Sequence, residues 1–444
     1  MSLTRDLVTL IGAKTISDAD RQHAALFVLD TLACAIAGRG AAPARMLMTV
    51  APPASSDVAR RAFLVGGLAH ILEMDDLHRD SVTHPGSVVI PAAWTIAEDR
   101  NLGGRPFLDA VLAGYEACCR VGMAVGKAHY RVWHNTSTCG PFGAAVAAGR
   151  LIGLSADETV WALGNAGTQS SGLWEFLATG AMSKHLHTAR AAESGVLAAL
   201  LAREGFTGPE KILEGEKGFF AGLCTDPIPQ AIAADPARPW ELTRTSIKPW
   251  PCCRHTHPAT DAALELHAAL KGAPVARVTV GAYRAAIDVC DRPDPQDPYS
   301  AKFSLQHTVA VALNDGLVNQ ASFDAEARSR IAGERAKVTV AVAPKVDAAY
   351  PAAWGAEVAV ETTDGRRLTA SRQHAKGDPE NPLSEQDLKA KARAMLIESG
   401  LDDAGTDAFV AGVHGLTSDT PVRDLDLLAY LKQRETPARK LRSA

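Results

Sequence analysis

Residues 225–242, TDPIPQAIAADPARPWEL, divide the sequence into two textures. Prolines at 227, 229, 236 and 239 fix φ and remove backbone donors, so neither a long helix nor a central strand passes through. Upstream the chain reads as one helix after another. In SDADRQHAALFVLDTLACAIAGRG (17–40), Ser17 caps, Leu26, Leu29, Ala33 and Ile36 recur at helical spacing, and Gly38 ends the run. Ser155 and Glu158 have the capping-box spacing. Alanine-rich runs at 140–154 and 190–205 let helices approach closely, which implies a packed bundle. Downstream, RVTVGAY (277–283), KVTVAVAP (337–344) and EVAVETTDGRRLTA (357–370) alternate as strands do, with Asp364-Gly365 as a two-residue hairpin turn. From Ser384 and Asp387 a polar helical pattern resumes. The expected fold is mainly α: a large all-helical domain, 1–243 completed by 395–444, and a smaller α+β domain, 244–394.

Composition excludes several classes. Of 444 residues, 47% are apolar and 22% charged, ordinary for a soluble globular protein, and the formal charge of -4 lacks the basic surplus that phosphate binding needs. No nucleic-acid partner is expected. No apolar run reaches the roughly 18 residues of a membrane span, and the N-terminus does not read as a secretory signal, so no membrane partner and a cytoplasmic location are expected. The eight cysteines include no C-x2-C, which argues against an iron–sulfur cluster.

Four segments carry candidate chemistry. HILEMDDLHRDSVTHPGSVVIPAAW (70–94) packs His70, Glu73, Asp75, Asp76, His78, Asp80 and His84 into one stretch. It reads either as an active-site loop, its carboxylates orienting a histidine or touching substrate, or as a solvated loop with a capping aspartate. In HYRVWHNTSTCGPFGAAVAAGRLIGL (129–154), His134 and Thr138 stand where small residues free amides for an anion, although a histidine at a helix start is often structural. GLWEFLATGAMSKHLHTARAAESG (172–195) places Lys184 and His187 on one helical face, turned into a cleft or out to solvent. RTSIKPWPCCRHTHPATDAALEL (244–266) holds Lys248, Cys252, Cys253, Arg254, His255 and His257; anion binding is preferred over zinc, because vicinal cysteines do not match structural zinc spacing.

In this order and spacing, with AKFSLQHTVAVAL at 301–313, the segments resemble the MmgE/PrpD family. The resemblance implies a homodimer with a helical domain, an α+β lid, and a cleft site that handles a small polycarboxylate without metal or other cofactor. Family activities include 2-methylcitrate dehydratase, cis-aconitate decarboxylase and iminodisuccinate epimerase. By position, the family's catalytic histidines fall on His84 and His134 and its lysines on Lys184 and Lys248. Glu73, Asp75, Asp76, Thr138, Cys253 and Arg254 are the expected substrate contacts. The chain departs from the decarboxylases in having Glu73 for aspartate, Leu77 for threonine, a loop about one residue longer before His84, Cys253 for histidine, and no tyrosine around DVCDRPDP. These departures count against decarboxylation. The leading expectation is therefore a hydro-lyase, with an epimerase as the close alternative and a decarboxylase or a non-catalytic carboxylate binder behind it.

Overall fold

The computed structural model describes residues 2–432, so the end of the expected helical return, 433–444, lies outside the described residues. Two compact units emerge: residues 2–71, 75–245 and 384 onward form one, residues 72–74 and 246–383 the other.

Helices of nine or more residues are numbered in chain order. The first unit opens with α1 (Leu3–Ala13), α2 (Asp18–Gly38), α3 (Ala42–Val50) and α4 (Val58–His70), then α5 (Gly86–Asp99), α6 (Gly104–Ala124), α7 (Asn135–Ile152), α8 (Ala156–Gly167) and α9 (Ser183–Arg203). Ser17 caps α2 in a box closed by Asp20, and Ser155 caps α8 in a box closed by Glu158, so orphan amides of each first turn find acceptors within the helix itself. Small residues set the spacing of the bundle. A Cβ at Gly195 of α9 would lie 2.6 Å from the Ala145 nitrogen and 2.7 Å from the Pro141 carbonyl oxygen, both on α7. Only glycine lets these two helices touch backbone to backbone. Leu7, Phe142, Leu163, Ile212 and Phe219 fill one buried cluster of this unit.

The second unit contains α10 (His257–Leu270), β1 (Val275–Ala282), α11 (Leu305–Asp315), β2 (Val338–Val342), β3 (Ala356–Thr362) and β4 (Arg367–Arg372). The strands form one sheet in the order β2-β1-β3-β4; β1 and β2 are parallel and the other neighbours antiparallel. A parallel pair needs a crossover, and residues 283–337 supply it. The β3–β4 turn differs from the sequence reading. Glu361 pairs with Arg367, the Thr362 amide donates to the Arg366 carbonyl, and Gly365 sits at φ 86°, so the loop is the three residues 363–365 with glycine in its left-handed position.

The chain then returns to the first unit through α12 (Glu385–Glu398) and α13 (Asp403–Gly415). Ser384 caps α12 in a box with Asp387, and the buried Lys391 ammonium lies 2.5 Å from Asp30 of α2. Residues 384–394, which the sequence reading assigns to the α+β domain, thus pack with the helical unit. Among the described residues no single helix is long and apolar enough to cross a membrane.

Candidate active site

The loop between α4 and α5 sorts its titratable residues into fasteners and a cluster. His78 places Nδ1 2.8 Å from the Ser81 hydroxyl and Nε2 3.1 Å from Glu241, while Asp80 pairs with Arg244. Burial alone would raise the Glu241 carboxyl, but His78 and Arg238 outweigh it and hold it at about 2. These contacts tie the loop down.

Asp76 caps α5. The Gly86 amide donates to its carboxylate at 3.0 and 3.2 Å, and the Tyr115 hydroxyl donates at 2.7 Å. Burial, reinforced by the charge of Asp75, pushes Asp76 well above the usual carboxylate range despite these donors. The sequence reading made Asp76 a substrate contact; the structure makes it a helix cap with both oxygens engaged. Thr138 needs the same correction, since its hydroxyl lies 2.8 Å from His129 Nε2.

What remains faces one place. His70, at the end of α4, holds Nδ1 2.6 Å from Asp75 Oδ2. His84 places Nδ1 2.6 Å from the Asp76 carbonyl oxygen and 3.5 Å from the same Asp75 oxygen. A carbonyl oxygen only accepts, so His84 Nδ1 carries the hydrogen. His134, the N-cap residue of α7, has Nδ1 3.2 Å from His187 Nδ1, and its ring packs 4.8 Å from Trp174. The His70 ring centre is 4.7 Å from that of His84 and 5.9 Å from that of His134. Asp75, expected as a substrate contact, orients histidines instead.

Lys184 and His187 share the first turns of α9 and are both buried, so the expected common face exists and is turned inward. Their charges matter. Burial first, then Lys184 and the neighbouring histidines, push His134 well below its ordinary value. Burial, His70 and Lys184 lower His187 to about 4. Ring nitrogens of His70, His84 and His134 lie within 4.8 Å of one another, a spacing that would suit a metal ion. The Lys184 ammonium acting on His134 opposes a second cation there, and the arrangement fits proton transfer on an anion better.

The second unit places its predicted residues differently. Lys248 is buried and donates to the Glu73 carbonyl oxygen at 3.1 Å, with the Glu73 carboxylate 3.5 Å away. Glu73 adopts φ 58°, a left-handed conformation costly for a residue with a Cβ, and accepts from the Tyr299 hydroxyl at 3.2 Å. Lys302 donates to the Leu72 carbonyl oxygen at 2.9 Å. Arg254 pairs with the buried Asp378. The cations expected to await an anion therefore already face buried carboxylates. Cys253 is buried, and its thiol, not bridged by a disulfide, is a hydrogen-bonding neighbour of the Cys290 thiol; His255 stacks on Trp354 and meets the Tyr283 hydroxyl at 2.6 Å, an interior role.

The sequence marks neither His70 nor His187 for a role and gives no sign of Tyr299. The signal for His70 was the aspartate five residues on. Tyr299, just past the stretch where a tyrosine was sought, had none.

Residues 6–231 match the MmgE/PrpD N-terminal domain and residues 250–407 the MmgE/PrpD C-terminal domain. The chain belongs to the MmgE/PrpD family. A cis-aconitate decarboxylase of Aspergillus terreus is 26% identical over 448 residues, 91% of each chain. The human cis-aconitate decarboxylase is 27% identical over 348 residues, 75% of this chain and 71% of the relative. The cis-aconitate decarboxylase-like protein oryM of Aspergillus oryzae is 33% identical over 212 residues, 44% of each chain.

Proposed function

We propose that the chain is a lyase of small polycarboxylates, a hydro-lyase that moves protons at a carbon next to a carboxylate. The buried cluster of His70, His84 and His134 beside Lys184 carries this reading. Loss of a proton α to a carboxylate builds an enediolate on an anionic molecule, and a fixed cation in a dry site stabilises it strongly. Lys184 takes that role, since Lys248 and Arg254 face the carboxylates of Glu73 and Asp378 within the second unit.

His134, kept neutral by burial and Lys184, is the base, and its buried Nε2 has no hydrogen-bond partner. It takes the carbon-bound proton. The electron pair forms the double bond, the C–O bond breaks, and His84 protonates the departing hydroxyl, giving alkene and water. Asp75, 3.5 Å from the His84 ring, is the counter-charge for the proton that this step needs.

Decarboxylation of cis-aconitate is the second reading, favoured by the names of the relatives matched over most of the chain. There CO2 leaves and the same cluster protonates the resulting carbanion. Purified protein in EDTA, incubated with citrate, 2-methylcitrate, malate, tartrate and cis-aconitate and followed by NMR, separates the two. Water lost or added supports the hydro-lyase, CO2 release the decarboxylase, and deuterium wash-in without net elimination an epimerase. No turnover of any of them, with one still bound, overturns the enzymatic reading in favour of a carboxylate-binding protein.

A further inference from the structure

Elimination by two histidines leaves the site in the wrong state. His134 ends with an extra proton and His84 without one, so a second turnover requires the proton to travel from the first ring to the second. We infer that His70, backed by Asp75, is the bridge that carries it. This rests on the proposed acid–base reading and adds a residue that touches no reacting atom.

The geometry is specific. His70 is fully buried at the end of α4, yet only one of its ring nitrogens is engaged: Nδ1 faces Asp75 Oδ2 at 2.6 Å, while Nε2 is buried with no hydrogen-bond partner. A buried polar atom without a partner is costly, and a proton in transit through Nε2 would relieve that cost. The Asp75 carboxylate accepts from Nδ1–H, which fixes the tautomer and leaves the Nε2 lone pair as the proton acceptor. The ring stacks on His134 at 5.9 Å between centres, with 25° between planes, and meets His84 edge-on at 4.7 Å. One nitrogen of each ring lies within 4.8 Å of one nitrogen of the other two, a gap that one bridging water closes.

The step balances without a co-reactant. The proton leaves His134 Nε2 for His70 Nε2, and His70 becomes an imidazolium against the Asp75 carboxylate. It then gives the proton to His84 Nε2. Neutral His134 and protonated His84 are restored, and Asp75 never leaves its place. Two histidines of α9 also lie near His70: His185, whose ring centre is 6.3 Å away, and His187, whose protonated form His70 disfavours. Lys184, also on α9, disfavours the protonated form of His134. His70 is thus a positioning residue for the proton, not for the substrate.

The relay separates the first turnover from those that follow. Rapid mixing of enzyme with the carboxylate that wild type turns over fastest in the panel above measures both phases. His70→Gln is expected to keep the burst of about one product per site and the KM, while the steady-state rate falls about 100-fold. Added imidazole, a diffusible proton carrier, is expected to restore much of it. Asp75→Asn, which leaves the ring in place but removes the counter-charge, is expected to give a smaller loss of the same kind, and carries the test should His70→Gln fail to fold. Burst and steady state falling together, without imidazole rescue, would mean a structural role and overturn the relay. An unchanged steady-state rate would overturn it equally. Wild type turning over none of the panel overturns the acid–base reading, and the relay with it; turnover by wild type with either variant result above sinks the relay alone.

Discussion

Single residues here act through the charge they place beside a buried ring. His187 titrates at about 4 because burial, His70 and Lys184 all disfavour its protonated form. Lys184→Met removes one of the three causes, so the His187 midpoint should rise from about 4 toward its ordinary value, read by NMR titration of the ring. The same substitution should cut turnover at least 100-fold, because the enediolate loses its cation. Glu241 is the opposite case. Its carboxyl is held at about 2 against an ordinary 4.5, so the stability it contributes is present above pH 4.5 and is lost as pH falls toward 2. Glu241→Gln should therefore lower the unfolding free energy near neutrality, with the gap to wild type closing across that window in urea titrations.

At the scale of elements, legibility followed sequence distance. The caps at Ser17, Ser155 and Ser384 were readable because donor and acceptor stand three residues apart, and each forms a box in the structure. Ser155→Ala should cost about 1 kcal/mol in chemical denaturation and leave activity unchanged. The start of α5 was readable only in part. THPG announced a turn, yet nothing local said that Asp76, ten residues back, caps Gly86, or that Tyr115 of α6 holds the cap. A Cβ at Gly86 would lie 2.6 Å from the Thr31 hydroxyl, 2.7 Å from the Tyr115 hydroxyl and 2.9 Å from Asp76 Oδ1. Gly86→Ala is expected to destabilise by roughly 2 kcal/mol, in the range of core overpacking, and to reduce turnover by shifting the His84 loop; thermal unfolding and kinetics check both. His70 stayed unassigned for the same reason, because its partners His84 and His134 come from another loop and another helix, and only the fold sets them side by side. For Lys248 and Arg254, composition foretold the cations but not the buried carboxylates that face them.

At the scale of the molecule, several histidines are folded in their neutral form. His187 and His307 are lowered to about 4 and His255 to about 3, each by burial first. The unfolded chain binds these protons near pH 6.5 and the folded chain only near 4 or below, so their contribution is complete above 6.5 and falls as pH drops through that window. The thermal midpoint should accordingly fall between pH 7 and pH 5 in calorimetry at matched ionic strength. The bipartite architecture was visible in the proline-rich stretch at 225–242, whereas the return of residues 384–394 to the helical unit was not. A polar amphipathic helix shows that it packs on something without showing on what. Lys391 against Asp30 settles that question.

The same pairing has a consequence for synthesis on the ribosome. Translation delivers nearly all of the helical unit first, yet Lys391, which pairs with Asp30, follows only after residues 246–383. The unit that bears the histidine cluster is begun first and closed last, and a nascent chain stopped before residue 384 carries every catalytic candidate while lacking the helix that packs on α2.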